Sequence, residues 1–378
     1  MIKVSFLDVG QGDSIVITTP NPEVAYLVDI KHERTVNDYL EENDINCLAA
    51  IFITHSDEDH ISGINYLLNN WGSEESFNPK TIKGFYINPD RYYVIETRAD
   101  AEENGQLVEE QPGKKNRYLQ LLNSIYERMP SYGCRMEYLT DKKGPFYYDA
   151  MKITVLHPPE DFSIFWGYRD DRNEASAVLR VEYGNRAILL TADIQLVAIS
   201  MLLQKDDVEL SADVLKFPHH GAWPDDIEGL SSHCTMAKFL GKVDPKYVIL
   251  SVGTRQKAKY FHVRPEVFYA LNKLRNSGRL QRFLCAEATR TCLLEHPTQI
   301  IDGKEVVNEI PCDAISQVRN TLPKEYLSNF ANKETEACPC AGTITIEIDT
   351  QGAIDVLPTT DAHKLVIDKI PFAKCAVD

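Results

Sequence analysis

The chain has 378 residues, 43% apolar and 25% charged, which is enough for one large domain with a smaller companion and a well-filled core. Its formal charge of −16 excludes non-specific coating of nucleic acid, so a nucleic-acid substrate would need metal ions or a local basic patch. Nine irregularly spaced cysteines argue against a secreted disulfide framework and for reduced thiols in a cytoplasm. No apolar run approaches the roughly 18–20 residues of a bilayer span, and the N-terminus lacks the apolar core of a signal peptide, so no membrane partner is expected.

In chain order, residues 3–8 read as a strand, Gly10-Gln11-Gly12-Asp13 as a turn and residues 14–18 as the returning strand, with a third strand at 26–29. Residues 35–43 have helical spacing, with Val36, Tyr39 and Leu40 on one side. An apolar strand at 48–54 runs into Thr54-His55-Ser56-Asp57-Glu58-Asp59-His60, and residues 62–69 are again helical. A strand is predicted at 82–87. Residues 91–113 are acidic and poorly patterned, which marks an inserted surface loop. Residues 116–129 form an amphipathic helix with Leu119, Leu122, Ile125, Tyr126 and Met129 on one face. Strands follow at 152–156, 177–183, 187–191, 214–217 and 247–251, then a helix at 265–276. The alternation predicts a mixed α/β chain with its sites at strand ends.

The character of the sequence shifts near residue 296. Residues 314–333 are polar and partly helical. Cys338-Pro339-Cys340 then leads into a strand at 343–348, a Thr350-Gln351-Gly352 turn and a strand at 353–357, a hairpin signature. The reading is a main domain over 1–298 and a small, mostly β appendage over 299–378, itself a candidate surface for a protein partner. Cys338 and Cys340, with Cys312 and Cys375, are candidate structural zinc ligands; ordinary buried thiols are the plainer reading.

Three clusters carry chemistry. His55, Asp57, Asp59 and His60 fall within six residues behind a buried strand, where a turn aims alternating side chains at one point; imidazole and carboxylate groups there suit metal ions better than a solvated loop. Asp193 ends the apolar run 187–192, where it is either a helix N-cap or a metal ligand. His219-His220-Gly221 follows the strand at 214–217, and adjacent histidines can divide metal binding from proton transfer.

Phe6-Leu7-Asp8-Val9-Gly10-Gln11-Gly12-Asp13-Ser14, the segment 54–63, residues 190–193 and residues 215–221 together resemble the metallo-β-lactamase-type domain of ComEC-like DNA-uptake proteins. Asn173-Glu174-Ala175-Ser176 and the stretch 249–253 followed by His262 fit the same pattern, so the resemblance covers about residues 1–295. It implies a four-layer αβ/βα metallo-β-lactamase sandwich with two divalent ions at one edge. His55 and Asp57 match ligands of the first ion, Asp59 and His60 ligands of the second, Asp193 the bridging carboxylate, and one of His219 and His220 the last histidine. Two departures stand out: Asp57 replaces the more usual histidine, and no Gly-His-Thr-type histidine precedes Asp193, where Asn173 and Ser176 lie. His157, before Pro158-Pro159, reads as a structural strand end. More carboxylate in the set keeps manganese open beside zinc.

These residues predict metal-assisted hydrolysis of a phosphodiester in a nucleic acid or nucleotide. Asp59 or Asp193 would orient or deprotonate the water, and His220 or His262 would protonate the leaving oxygen or steady a non-bridging one. Asp13, Lys216, Asn173 and Ser176 are the candidate substrate contacts, with Lys257, Lys259 and Arg264 near His262; Asp29 reads as ordering a turn. Single-stranded DNA is the leading substrate, and a small or cyclic nucleotide the alternative. A non-catalytic binding subunit of a multi-protein, defence-type system is the reading from a different class.

Overall fold

The computed structural model describes residues 1–71, 80–88, 115–162, 172–254, 256, 261–301, 304–322 and 337–375. The expected loop at 91–113, Lys257, Lys259 and the end of the helix proposed at 314–333 fall outside them.

The first half of the chain supplies β1 (Ile2–Phe6), β2 (Ser14–Thr18), β3 (Val24–Ile30), β4 (Cys47–Ile53), β5 (Thr81–Ile82), β6 (Gly84–Ile87) and β7 (Arg135–Tyr138). Then come β8 (Phe146–Tyr148), β9 (Met151–His157), β10 (Val178–Tyr183), β11 (Arg186–Leu190), β12 (Val214–Lys216), β13 (Tyr247–Leu250) and β14 (Arg282–Cys285). Last are a two-stranded ribbon, β15 (Thr298–Ile301) and β16 (Lys304–Val307), and a hairpin, β17 (Ile344–Ile348) and β18 (Ile354–Leu357).

Two mixed sheets result, ordered β18-β17-β1-β2-β3-β4-β6-β7, with β5 also on β4, and β14-β13-β12-β11-β10-β9-β8. Each is antiparallel on one side and parallel on the other. The change comes after β3 in the first sheet and after β11 in the second.

Both faces of the central strands are buried, which is why they read as unbroken apolar runs. In β11, Ile188 and Leu190 point between the sheets while Ala187 and Leu189 point outward. Between the sheets, Val4, Ile17, Val28 and Phe52 meet Ile153, Val181, Ile188 and Ile249. Outside the first sheet lie the helices Glu33–Glu42, Ile64–Asn70 and Lys115–Tyr132, through Val36, Leu40, Leu67 and Ile125. Outside the second lie Leu196–Gln204, Ser232–Val243 and Pro265–Asn276, through Ile199, Leu202, Phe239 and Leu271. The layers are therefore helix, sheet, sheet, helix. No helix among the described residues is long and apolar enough to cross a membrane.

The boundary at residues 298 and 299 requires correction. β17 pairs antiparallel with β1, Ile2 opposite Ile348 and Phe6 opposite Ile344. Ile344, Ile346 and Ile348 are fully buried between the sheets, while Ile315, Val318, Val366 and Ile370 join the outer core. The segment completes both cores because β1 offers an unpaired edge that only a strand can satisfy. Among the described residues after 298, the β15–β16 ribbon, with Ile300 and Ile301 exposed, stands apart as an appendage.

Ile346→Ala is expected to destabilise the protein by about 2–5 kcal/mol through lost burial and the cavity left behind. Urea unfolding checks this; a midpoint unchanged by the substitution would contradict the inter-sheet position of β17.

Candidate metal centre

The two sheets meet at an edge where β3, β4, β11 and β12 all end. The sequence-predicted clusters converge there. β4 delivers Thr54 and His55, and the short helix Glu58–Ile61 carries Asp59 and His60. Asp193 follows β11, and His219 and His220 follow β12.

The backbone bends sharply to aim these groups. Asp29, Ala192, His219 and His220 have φ of 55°, 45°, 47° and 52°, a left-handed conformation unusual for residues with a side chain. Such strain at three strand ends around one point is a mark of a functional site. Gly12, with φ of 134°, lets the β1–β2 loop lie against the His/Asp turn; a Cβ there would stand 2.3 Å from the Asp59 carbonyl oxygen. That approach allows the Asp13 amide to donate to the same oxygen at 3.0 Å.

Asp193 Oδ2 is the hub. It lies 3.3 Å from Nε2 of both His60 and His220, and 3.9 Å from Nε2 of both His55 and His219. Asp59 Oδ2 is 3.5 Å from His220 Nε2, and Asp57 Oδ2 is 4.0 Å from His55 Nε2. Asp13, His60, Asp193 and His220 are all buried, and each offers a ligand atom within 4.8 Å of the others. Their backs are also held: His60 Nδ1–H donates to Asp29 at 2.7 Å and His220 Nδ1–H to the Ser251 carbonyl at 2.8 Å. Asp29 is fixed in turn by the amide and hydroxyl of Thr54, at 2.8 and 2.6 Å. Buttressing of this kind fixes the tautomer and aims Nε2 inward.

The donor set fits divalent ions. His55 Nε2 and Asp193 Oδ1 are buried without a hydrogen-bond partner, an arrangement that is costly unless a cation completes it. Without an ion, protons supply the missing charge. Burial would lower His60 and His220, but the charges of Asp193, with Asp29 or Asp13, raise His60 well above the imidazole range and His220 to about 9. Burial alone would raise Asp59, but the hydrogen bond to His220 and the charges of His60 and His220 hold it below the carboxylate range.

Lys216 is the fixed cation of the centre. It is fully buried, with Nζ 2.5 Å from Asp13 Oδ2, 3.6 Å from Asp193 Oδ1 and 3.1 Å from the Ala192 carbonyl oxygen. Asp13 and the Ala192 carbonyl take hydrogen bonds from it, and with no exposed surface it faces the buried carboxylates rather than the expected substrate phosphate. Asp13 is corrected likewise: it is buried beneath His60 and His220 and belongs to the ligand cluster. Ser176 is fully buried, its amide closing a turn on the Asn173 carbonyl, so it does not face a substrate. Asn173 is half-buried, 3.5 Å from His219 Nε2, on the first-ion side. His220 faces Asp193 through Nε2 and the Ser251 carbonyl through Nδ1, which places it as a candidate metal ligand. Burial and the neighbouring His219 push His262 down to about 3, which favours its neutral form. His157 is structural: its Nε2–H donates to the Glu174 carbonyl at 2.7 Å. Sequence reasoning missed that Asp29 orients His60; an aspartate inside an otherwise apolar strand was the available signal.

No protein-family model matches the chain. Among curated proteins, it is 25% identical over 292 residues to ComE operon protein 3 of Bacillus subtilis (strain 168), covering 72% of this chain and 30% of that one. The chain therefore spans under a third of that relative's length. Among solved structures it is similar to the metallo-β-lactamase fold protein YhfI of Bacillus subtilis, with a TM-score of 0.39, 14% identity and coverage of 71% of this chain and 93% of that one. Human tRNase Z, short form, gives a TM-score of 0.34 at 17% identity, over 65% and 91% of the two chains. The helix, sheet, sheet, helix layering agrees with the four-layer αβ/βα arrangement expected from the sequence motifs.

The loop bearing Gly10 and Gly12 rests on a second acidic pair. Burial raises the Asp8 carboxyl to about 6, partly offset by the Gly10 amide and by Glu287, while burial and the Asp8 charge push Glu287 well above its usual range. A raised carboxyl contributes stability that is complete below its unfolded value, near 4, and is lost as pH climbs through 6. Asp8→Asn is therefore expected to stabilise the protein by about 2–3 kcal/mol at pH 7.5 and by nothing near pH 4. Thermal unfolding across that range checks the sign. Lys216→Met is expected to cost about 3–5 kcal/mol in the metal-free protein, because it strands two buried carboxylates. A loss below about 1 kcal/mol in denaturant titration would show that Lys216 is not the compensating charge.

Proposed function

We propose that the chain is a metal-dependent phosphodiesterase with a dinuclear centre and a nucleotide-sized substrate. The observation that carries this reading is the division of donors around Asp193 Oδ2. His60, His220 and Asp59 group on one side of the shared carboxylate and His55 with Asp57 on another, while His219 faces the same oxygen from beside His262. Divalent ions there supply Lewis acidity and lower the pKa of water toward neutrality. The mixture of imidazole and carboxylate suits zinc or manganese.

The remaining groups have complementary tasks. Asp59, ionised and partly exposed, orients the attacking water by accepting its hydrogen bond. His262, neutral, offers an N–H to a non-bridging oxygen on the His219 side; the two rings lie 5.3 Å apart. Arg172, 3.4 Å from Asp57, brings positive charge to the rim beside Asp57 and His55.

A cavity of about 590 Å³ adjoins the centre at His219 and His262, with Trp223, Phe261 and Arg264 in its wall. Among the described residues of its wall, Asp225 and Glu305 set two carboxylates against Arg264. A long polyanion needs a basic track; this cavity instead has the volume of a small-molecule site. Single-stranded DNA is the second reading and rests on the resemblance of the sequence motifs.

Purified protein supplied with manganese or zinc should be assayed on cyclic nucleotides, dinucleotides, single-stranded DNA, RNA and a chromogenic phosphodiester. Hydrolysis of the small nucleotides is expected, with kcat at least about 100-fold lower in His55→Ala and Asp193→Asn. Trp223→Ala is expected to raise KM with little change in kcat. If no phosphodiester is cleaved in excess metal and the purified chain retains none, a non-catalytic binding role takes its place.

A further inference from the structure

Five of the nine cysteines are buried in one region: Cys285, Cys292, Cys338, Cys340 and Cys375. It lies where the edge of the second sheet receives the C-terminal segment. β14 ends at Cys285, and the chain after Cys338 adds to its edge: the Ala341 amide donates to the Cys285 carbonyl at 2.9 Å, and the Cys340 and Gly342 amides donate to Ala286 at 3.2 and 2.9 Å. The helix Thr360–Ile367 inserts His363, with no exposed surface, so that its Nε2 lies 3.3 Å from Cys340 Sγ. The Cys375 thiol is hydrogen-bonded to both Cys285 and Cys340. Donors from four separate chain segments thus run Cys285–Cys375–Cys340–His363 through an apolar interior.

We propose that Cys285, Cys340, Cys375 and His363 hold a structural zinc ion, at a site sharing no residue with the Asp/His centre. Three sulfurs and one imidazole are a set that zinc takes in closed tetrahedral sites, at about 2.3 Å from sulfur. The four donors stand in a row, so binding requires Cys285 and His363 to close toward the middle pair. Cysteines alone would pack as small apolar groups, but they would not call for an imidazole, whose burial costs free energy unless strong partners receive it. A cavity of about 520 Å³ has Cys375 in its wall and gives access from solvent. This quartet differs from the one expected from sequence: Cys312 is exposed at the start of its helix, and Cys338 Sγ faces the Pro339 carbonyl, 4.0 Å away. The ion would pin to β14 the segment that supplies β17.

Reduced full-length protein loaded with cobalt(II) is expected to show an intense sulfur-to-cobalt charge-transfer band. It should saturate at one ion per chain and persist in Asp193→Asn, since the Asp/His centre has no sulfur. Cys340→Ala and His363→Ala are expected to lose one equivalent of zinc by elemental analysis. If those variants fail to fold, the cobalt spectrum of the unaltered chain still decides. Absence of the band, or a disulfide joining Cys375 to Cys285 or Cys340 in the purified protein, overturns the proposal.

Discussion

Carboxylates brought together in a dry interior repel one another unless positive charge sits among them. At the seam of the two sheets, Asp13, Asp29 and Asp193 are almost wholly buried, and Asp59 borders them. The chain answers with one permanent cation, Lys216, aimed from β12 at Asp13 and Asp193. The remaining charge is left to ions or to protons on His60 and His220. Every local device around the centre follows from this constraint: the left-handed turns, the close approach of Gly12 and the backing of His60 by Asp29.

The topology explains why the seam lies where it does. In each sheet the strands change from antiparallel to parallel, and the loops leaving the carboxyl ends at that change have room to diverge. β3 and β4 supply Asp29 and the His55–His60 turn from one sheet, while β11 and β12 supply Asp193 and the histidine pair from the other. Neither sheet alone holds a complete set, so the candidate metal centre also depends on the packing of the sandwich.

Much of this was legible in the sequence. His55, Asp57, Asp59, His60, Asp193, His219 and His220 each follow an apolar run, and polar groups in that position announce a site. The partners of those residues were less legible. Asp13, Asp29 and Lys216 look like turn or surface residues until long-range folding buries them. The helix Leu196–Gln204 was missed because it is almost uniformly apolar and carries no amphipathic period. β17 was recognised as a strand, but its partner β1 lies more than 330 residues away, and no local pattern encodes that separation.

That pairing has a bearing on synthesis. β1 is synthesised more than 330 residues before β17. Until residues 344–348 arrive, one edge of β1 has unmet amides and carbonyls, and the isoleucine row opposite it is missing. An open apolar edge of that kind is a template for mispairing between nascent chains. Completion of the first sheet is therefore timed by the arrival of residues 344–348, long after its first strand has been made.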